Sequence, residues 1–305
     1  MTALAIVQTL NGFQLGVTLF LMAAGLTLVF GIMDMINLAH GSFYMIGAYL
    51  TATFVGVFDS FLLAVLFALP LAALVGLLVE MVALRTLYQR DHLDQVLATF
   101  GLILFFNELV KIIWGPVPIF MGVPEFLSGR IMFGPDLEYP AYRLAIIVVG
   151  FLVAIGLWLM ISRTRLGMLI RAGASNREMV TALGVNIKLL YSLVFALGAG
   201  LAALAGAMAG PIYSVQVGMG EQILILTFVV IVIGGIGSIR GAMVGAILVG
   251  LVDTFGRVLL PGAMFALTGS TAAQGVGSAI ASMSIYILMA AVLFFRPRGL
   301  FPVKV

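Results

Sequence analysis

Arg163-Thr164-Arg165-Leu166-Gly167-Met168-Leu169-Ile170-Arg171-Ala172-Gly173-Ala174-Ser175-Asn176-Arg177-Glu178-Met179-Val180-Thr181-Ala182-Leu183-Gly184-Val185-Asn186-Ile187-Lys188 is a polar island in an apolar chain. It holds five of the fifteen Lys and Arg residues, between apolar runs at 142–162 and 189–213. Runs of about 20 apolar residues cross a bilayer as helices. A segment this charged does not lie in lipid between them. An excess of Lys and Arg marks the cytoplasmic side of a membrane protein. The stretch therefore reads as a short amphipathic helical element at the cytoplasmic surface, placed where a soluble partner can grip it.

The composition agrees. The chain is 63% hydrophobic and 9% charged, with a mean hydropathy of +1.24, whereas a soluble domain is about 25% charged. Long apolar runs fit helices and not the short alternating strands of an outer-membrane barrel. The 36 glycines would weaken helices in water, but in a bilayer small residues let helices approach closely. With no Cys, disulfides, thiol chemistry and Cys-based metal sites are excluded. The net charge of +3 forms no nucleic-acid patch, so no nucleic-acid partner is expected. The first Lys or Arg is Arg85, so no signal peptide with a basic n-region is expected.

Apolar segments cover roughly residues 9–32, 36–57, 61–84, 96–114, 142–162, 189–213, 223–236, 242–260 and 279–295. The expected fold is an all-α polytopic membrane protein with 8–9 transmembrane helices, some of them broken; 223–236 is short for a full span. If every segment crosses, Arg85, Arg90, the 163–188 block, Arg240, Arg296, Arg298 and Lys304 share one side. Glu125, Arg130, Asp136, Glu138, Arg143 and Glu221 share the other. That partition puts the C-terminus in the cytoplasm, with the N-terminus outside for nine crossings. One transmembrane domain over 1–305 is expected, with an external loop at about 115–141 and a cytoplasmic element at about 163–188. The Gly and Pro content of the external loop suits turns and a hairpin, not a second domain.

The run His40-Gly41-Ser42-Phe43-Tyr44-Met45-Ile46-Gly47-Ala48-Tyr49-Leu50 resembles Arg240-Gly241-Ala242-Met243-Val244-Gly245-Ala246-Ile247-Leu248 across a two-residue gap. Each follows a Gly-containing break, 31–41 and 234–241. Both would run in the same direction, as in a parallel internal repeat; chance similarity among small-residue helices is the competing explanation. Unwound backbone at membrane depth is tolerated where protein covers it or water reaches it, and paired broken helices mark transport paths. Each break is thus either a pore-side discontinuity or a tight cytoplasmic turn. Asp34, Asn37 and His40 make the first break polar: Asp34 and His40 pair, or Asn37 caps the next helix, or the cluster meets a solute. The candidate path is Asn37, His40, Ser42 and Tyr44 together with Gly241 and Ala242.

Other polar residues inside apolar runs are Gln14, Thr18, Asn107, Glu108, Lys111, Asp253 and Arg257. Intramembrane charges are functional candidates by default. Glu108 with Lys111 and Asp253 with Arg257 also have the spacing of neutralising helix pairs. Enzyme signatures are missing: there is no Gly-Lys dipeptide for a Walker A loop, and His40 and His92 lie in no His-Glu-x-x-His frame. No catalytic residue, metal site or cofactor is expected in this chain.

The residues match one known family. Gly25-Leu26-Thr27-Leu28-Val29-Phe30-Gly31 followed by Ile36-Asn37-Leu38-Ala39-His40-Gly41, the stretch 163–186, and Gly234-Gly235-Ile236-Gly237-Ser238-Ile239-Arg240-Gly241-Ala242 resemble the permease subunits of branched-chain amino acid ATP-binding-cassette importers, specifically the shorter Liv-type permease. Such permeases carry a cytoplasmic Glu-Ala-Ala motif with Gly six residues after the Glu. Glu178 and Gly184 keep that spacing, while Met179 and Val180 replace the alanines. The resemblance implies an ATPase-coupling element that includes Arg171, Asn176, Glu178, Leu183 and Gly184. It also implies a second permease subunit, cytoplasmic ATP-binding subunits that hold ATP and Mg, an external solute-binding protein, and a bacterial plasma membrane location. Cargo in such systems includes branched-chain amino acids, urea, amides and aromatic acids. A stand-alone secondary transporter or channel is the alternative, with Asp34 and Asp253 as its candidate ion-coupling acids. A purely structural membrane subunit is a third reading, disfavoured by the polar break at Asn37.

Overall fold

A computed structural model describes residues 2–134 and 137–302. Asp136 and Lys304, assigned above to opposite sides, lie outside the described residues. The helices are α1 (Thr2–Met33), α2 (His40–Phe58), α3 (Phe61–Val82), α4 (His92–Trp114), α5 (Ala141–Arg163), α6 (Arg165–Ser175), α7 (Arg177–Ala182), α8 (Ile187–Ala209), α9 (Met219–Gly234), α10 (Ile239–Thr268) and α11 (Thr271–Phe295). Eight of them are long and apolar enough to cross a membrane; α9 is a shorter apolar helix. The 115–141 loop folds into a hairpin, β1 (Arg130–Gly134) antiparallel to β2 (Leu137–Pro140), closed by a 3.0 Å Arg130–Glu138 ion pair.

The bundle has a centre and a rim. The apolar window of α1 is 83% buried and that of α8 67%, against 22% for α3, α4 and α5 and 11% for α11. Small residues build the centre. Gly12, Gly16 and Gly250 bring α1 and α10 to backbone contact, and Gly47 and Gly206 do so for α2 and α8. Hydrophobic attraction does not drive helices together in lipid, so such close contacts hold the bundle. The rim helices turn Leu62, Leu66, Leu74, Leu104 and Ile287 outward.

One end of the bundle gathers the basic segments. The Leu300 and Phe301 amides donate to the Ile233 and Gly234 carbonyls, each at 2.9 Å, which ties the C-terminal segment to the last turn of α9. The turn between α9 and α10 touches the end of α1 at Gly31 and Gly237, and Gly173 of α6 packs on Ile32. Arg85 reaches Ser192 in the first turns of α8 at 2.9 Å. These described basic segments therefore collect at one end of the bundle, as their placement in the sequence predicts.

Several boundaries differ from the sequence expectation: α1 starts at Thr2 and not 9, α4 at His92 and not 96, and α9 at Met219 and not 223. The second span starts at His40, not 36, because residues 34–39 leave the helix. Helix α10 passes through Pro261 to Thr268 instead of stopping at Leu260. There α11 closes on it: a Cβ on Gly277 would lie 2.7 Å from the Leu260 carbonyl oxygen. Neighbouring helices let membrane helices tolerate proline. Helix α11 begins eight residues before 279, at Thr271, where Ser270 accepts from the Ala272 amide at 3.3 Å as its N-cap.

Candidate functional site: a buried helix break and a basic cleft

Helix α1 ends at Met33, and Asp34 adopts a left-handed backbone with φ of 50°. The Ile36 amide then donates to Gln95 Oε1 at 3.3 Å, while Gln95 Nε2 donates to the Arg90 and Leu87 carbonyls. Gln95, 3% exposed, staples the unwound chain to the start of α4. Helix α2 then begins deep in the bundle. The His40 ring nitrogen Nε2 lies 3.2 Å from the Met22 carbonyl oxygen, eleven residues back along α1 from Met33, or about 16 Å. A Cβ on Gly41 would overlap the Gly220 carbonyl at the start of α9.

The break leaves polar groups unsatisfied within the chain. Asn37 is fully buried, and among the described residues neither its Oδ1 nor its Nδ2 has a partner; His40 Nδ1 and Thr27 Oγ1 also lack one. Each orphaned buried group costs about 1–3 kcal/mol. Asn37 does not cap α2, whose N-cap position is Ala39 with no side-chain cap. Asp34 and His40 do not pair either: His40 turns to α1, and Asp34 faces the basic end. Ser42 and Tyr44 are each 4% exposed. Ser42 lines a narrow crevice with Asn107 and Glu221, which are joined by a 2.5 Å hydrogen bond.

Gly241 and Ala242 are not part of this group. A Cβ on Gly241 would overlap Gly234, the last residue of α9, and Ala242 is fully buried. Gly41 thus sits on one end of α9 and Gly241 on the other, fourteen residues or about 21 Å apart. The second break is a capped turn: Gly235 and Gly237 have φ of 101° and 83°, and Ser238 Oγ accepts from the Gly241 amide at 3.1 Å. Its tight-turn reading is the one the geometry takes.

The 163–188 element is built as a unit. Thr164, Asn176 and Asn186 cap α6, α7 and α8, accepting from the Gly167, Met179 and Leu189 amides at 3.1, 2.9 and 3.1 Å. Gly184, at φ 85°, ends α7 in a Schellman motif: Val185 N–H to the Val180 carbonyl and Gly184 N–H to that of Thr181. Ile170 and Val180 are buried, whereas Met168, Met179 and Leu183 are 55%, 59% and 76% exposed. These apolar tips stand exposed on an element attached to the basic end of the bundle. Beneath it lies a cleft of about 1150 Å³, reaching from Asn176 and Glu178 to Thr27, Asp34 and Trp158. Arg171, Arg177 and Arg240 line it, and among the described residues none of these arginines, nor Asp34 or Glu178, forms an ion pair.

The intramembrane charges pair as their spacing predicts. Lys111 meets Glu108 at 2.6 Å and Arg257 meets Asp253 at 2.8 Å. Sequence reading missed Glu80. It is fully buried on α3 and accepts from Arg85, from Ser192 at 2.5 Å and from Tyr88. Burial and the neighbouring Glu80 carboxylate push the Tyr88 phenol well above its ordinary pKa, so Tyr88 stays a donor. An acid five residues before an Arg at the end of an apolar run is the signal that would have found this clasp.

The chain is thus a multi-pass helical bundle with a buried helix break and a capped polar element at its basic end. The family model described as "Branched-chain amino acid transport system / permease component" matches residues 8–293, and the chain belongs to that family. It is the permease subunit of an ATP-binding-cassette importer. It is 34% identical to the high-affinity branched-chain amino acid transport system permease protein BraD of Pseudomonas aeruginosa, over 96% of this chain and 94% of that protein. It is 32% identical to the corresponding LivH protein of Escherichia coli K12, over 83% and 86%. A more distant relative at 28% identity is the ribose import permease protein RbsC of Escherichia coli K12, over 76% and 72%. No solved structure gives a significant match to the chain.

Proposed function

We propose that this permease moves branched-chain amino acids, or small solutes close to them in size, into the cytoplasm of a bacterium through the inner membrane. The relatives at 34% and 32% identity carry that cargo in their names, and the ribose permease stands further off at 28%. The basic end faces the cytoplasm, with the C-terminal segment on that side. The chain itself does no chemistry. ATP and Mg bind cytoplasmic ATPase subunits, a second permease subunit completes the pathway, and an external binding protein delivers the solute.

The capped α6–α7 element carries this reading. Its exposed Met179 and Leu183 give an ATPase groove an apolar grip, with Arg171, Asn176 and Glu178 beside them and Gly184 fixing the turn. The unwound 34–39 segment, held against α1 and α9, is the part of the bundle whose polar groups meet the solute: Asn37 and His40 first, then Ser42 and Tyr44. Gly241 and Ala242 serve the path only as the pivot between α9 and α10. Reconstitution tests the assignment. Liposomes that contain this chain with its second permease and ATPase subunits should take up leucine when ATP is inside and binding protein outside. Equal uptake by liposomes containing only this polypeptide would overturn it.

A further inference from the structure

Helices α5 and α10 flank α1 on two sides without packing appreciably on each other. The groove between them is the inner part of the basic cleft. Its floor is α1 from Phe20 to Ile32; Trp158 stands on one wall, and Met243 and Val244 on the other. That floor is thirteen residues long, about 18 Å of helix, more than a small solute needs. Trp158 is 47% and Val244 37% exposed, so the groove opens sideways toward the bilayer. At its mouth stand the five charged residues that find no ion pair among the described residues. On its floor Thr27 is 1% exposed with an unpartnered hydroxyl, seven residues or about 10 Å along the chain from Asp34.

These features have an order: an apolar trough, a hydroxyl partway up, an amphipathic tryptophan at the edge, then guanidinium and carboxylate groups together. Guanidinium groups fit phosphate, carboxylates fit a primary ammonium, and tryptophan favours the headgroup level. We propose that the groove binds one glycerophospholipid with a primary ammonium headgroup, of the phosphatidylethanolamine type, from the leaflet at the basic end. An acyl chain lies along α1 between α5 and α10. The phosphate meets Arg171, Arg177 and Arg240, the ammonium meets Asp34 and Glu178, and the Thr27 hydroxyl serves the ester oxygens. A purely anionic lipid leaves both carboxylates unmatched, and a trimethylated headgroup offers them no N–H. A free amino acid shares the charges but cannot occupy the trough. The site is independent of the cargo reading; it shares Arg171 and Glu178 with the coupling element proposed above.

The test uses the purified transporter complex reconstituted with a phosphatidylethanolamine analogue carrying a photoreactive group in its acyl chain, with labelled peptides mapped by mass spectrometry. Label is expected on the Trp158 region of α5 and at Met243–Val244, in excess over α3 and α11. Unlabelled phosphatidylethanolamine should compete; phosphatidylcholine should not. Arg240→Gln should lower groove labelling about fivefold, the size of one lost charge contact at a membrane surface. Val244→Trp, which fills the groove from its exposed wall, should remove label from α5 and leave α3 unchanged, a second route should the charge variant fold poorly. Even labelling over all rim helices would overturn the proposal. So would equal competition by phosphatidylglycerol, or protection by free leucine.

Discussion

The chain breaks its helices twice in similar sequence, at 34–39 and at 235–238, and the structure treats the two breaks in opposite ways. The second is a surface turn in which the Gly235, Gly237 and Ser238 backbone and side-chain groups close α9 and cap α10. The first lies deep in the bundle, and Asn37 and His40 keep unpartnered polar atoms there. Glycine content does not separate a turn from a functional discontinuity; the state of the polar groups does. A turn satisfies its own hydrogen bonds. A break that leaves buried donors and acceptors open costs stability, and membrane proteins retain such groups where they act on a solute. The repeat suspected between 40–50 and 240–248 survives as two helix starts that both pack on α9, but at its opposite ends.

The largest expected effect separates function from fold at the first break. Asn37→Leu removes two orphaned groups at nearly constant volume, so the melting temperature should not fall, while ATP-driven uptake should drop roughly tenfold or more, 1.4 kcal/mol of lost solute contact being one decade. A thermal shift and an uptake assay on the same preparation decide this; a destabilised protein with normal uptake would make Asn37 a packing residue. Next comes Gly184→Val. A branched side chain is strained at φ 85°, costing about 1–2 kcal/mol. Uptake should fall about tenfold while the ATPase subunits keep hydrolysing, a loss within the usual range of coupling energies between sites. Unchanged uptake per ATP would sever α7 from coupling. Ser238→Ala at the second break should be smallest, about 1 kcal/mol of stability from a lost N-cap with uptake close to wild type. A transport defect as deep as that of Asn37→Leu would erase the contrast between the breaks.

Much of this was legible beforehand because it rests on local rules. The caps at Thr164, Asn176 and Asn186 and the left-handed Gly184 follow from residue type, and so does the pairing of Asp253 with Arg257. What escaped depends on contacts between distant segments. Glu80 is held by Ser192, over a hundred residues away, and only its nearby partner Arg85 is announced locally. His40 as the true start of α2 follows from Gln95 and Met22 holding the preceding chain open, which hydropathy cannot register. Gly241 and Ala242 look like path residues because their surroundings are small and apolar; they are small because α9 and α10 touch there backbone to backbone.

The absence of cysteine in the natural chain gives the most direct test of the central claim, that the solute passes the first break and not the second. Asn37→Cys and Ala242→Cys, each in the assembled transporter, should be probed with a small water-soluble thiol reagent, with and without ATP and the binding protein. Asn37→Cys should react at a rate that changes with ATP and binding protein, and leucine should slow the reaction; Ala242→Cys, packed on α9, should stay inert in every state. Labelling of Ala242→Cys with an inert Asn37→Cys would contradict the account and move the path to the α9–α10 turn.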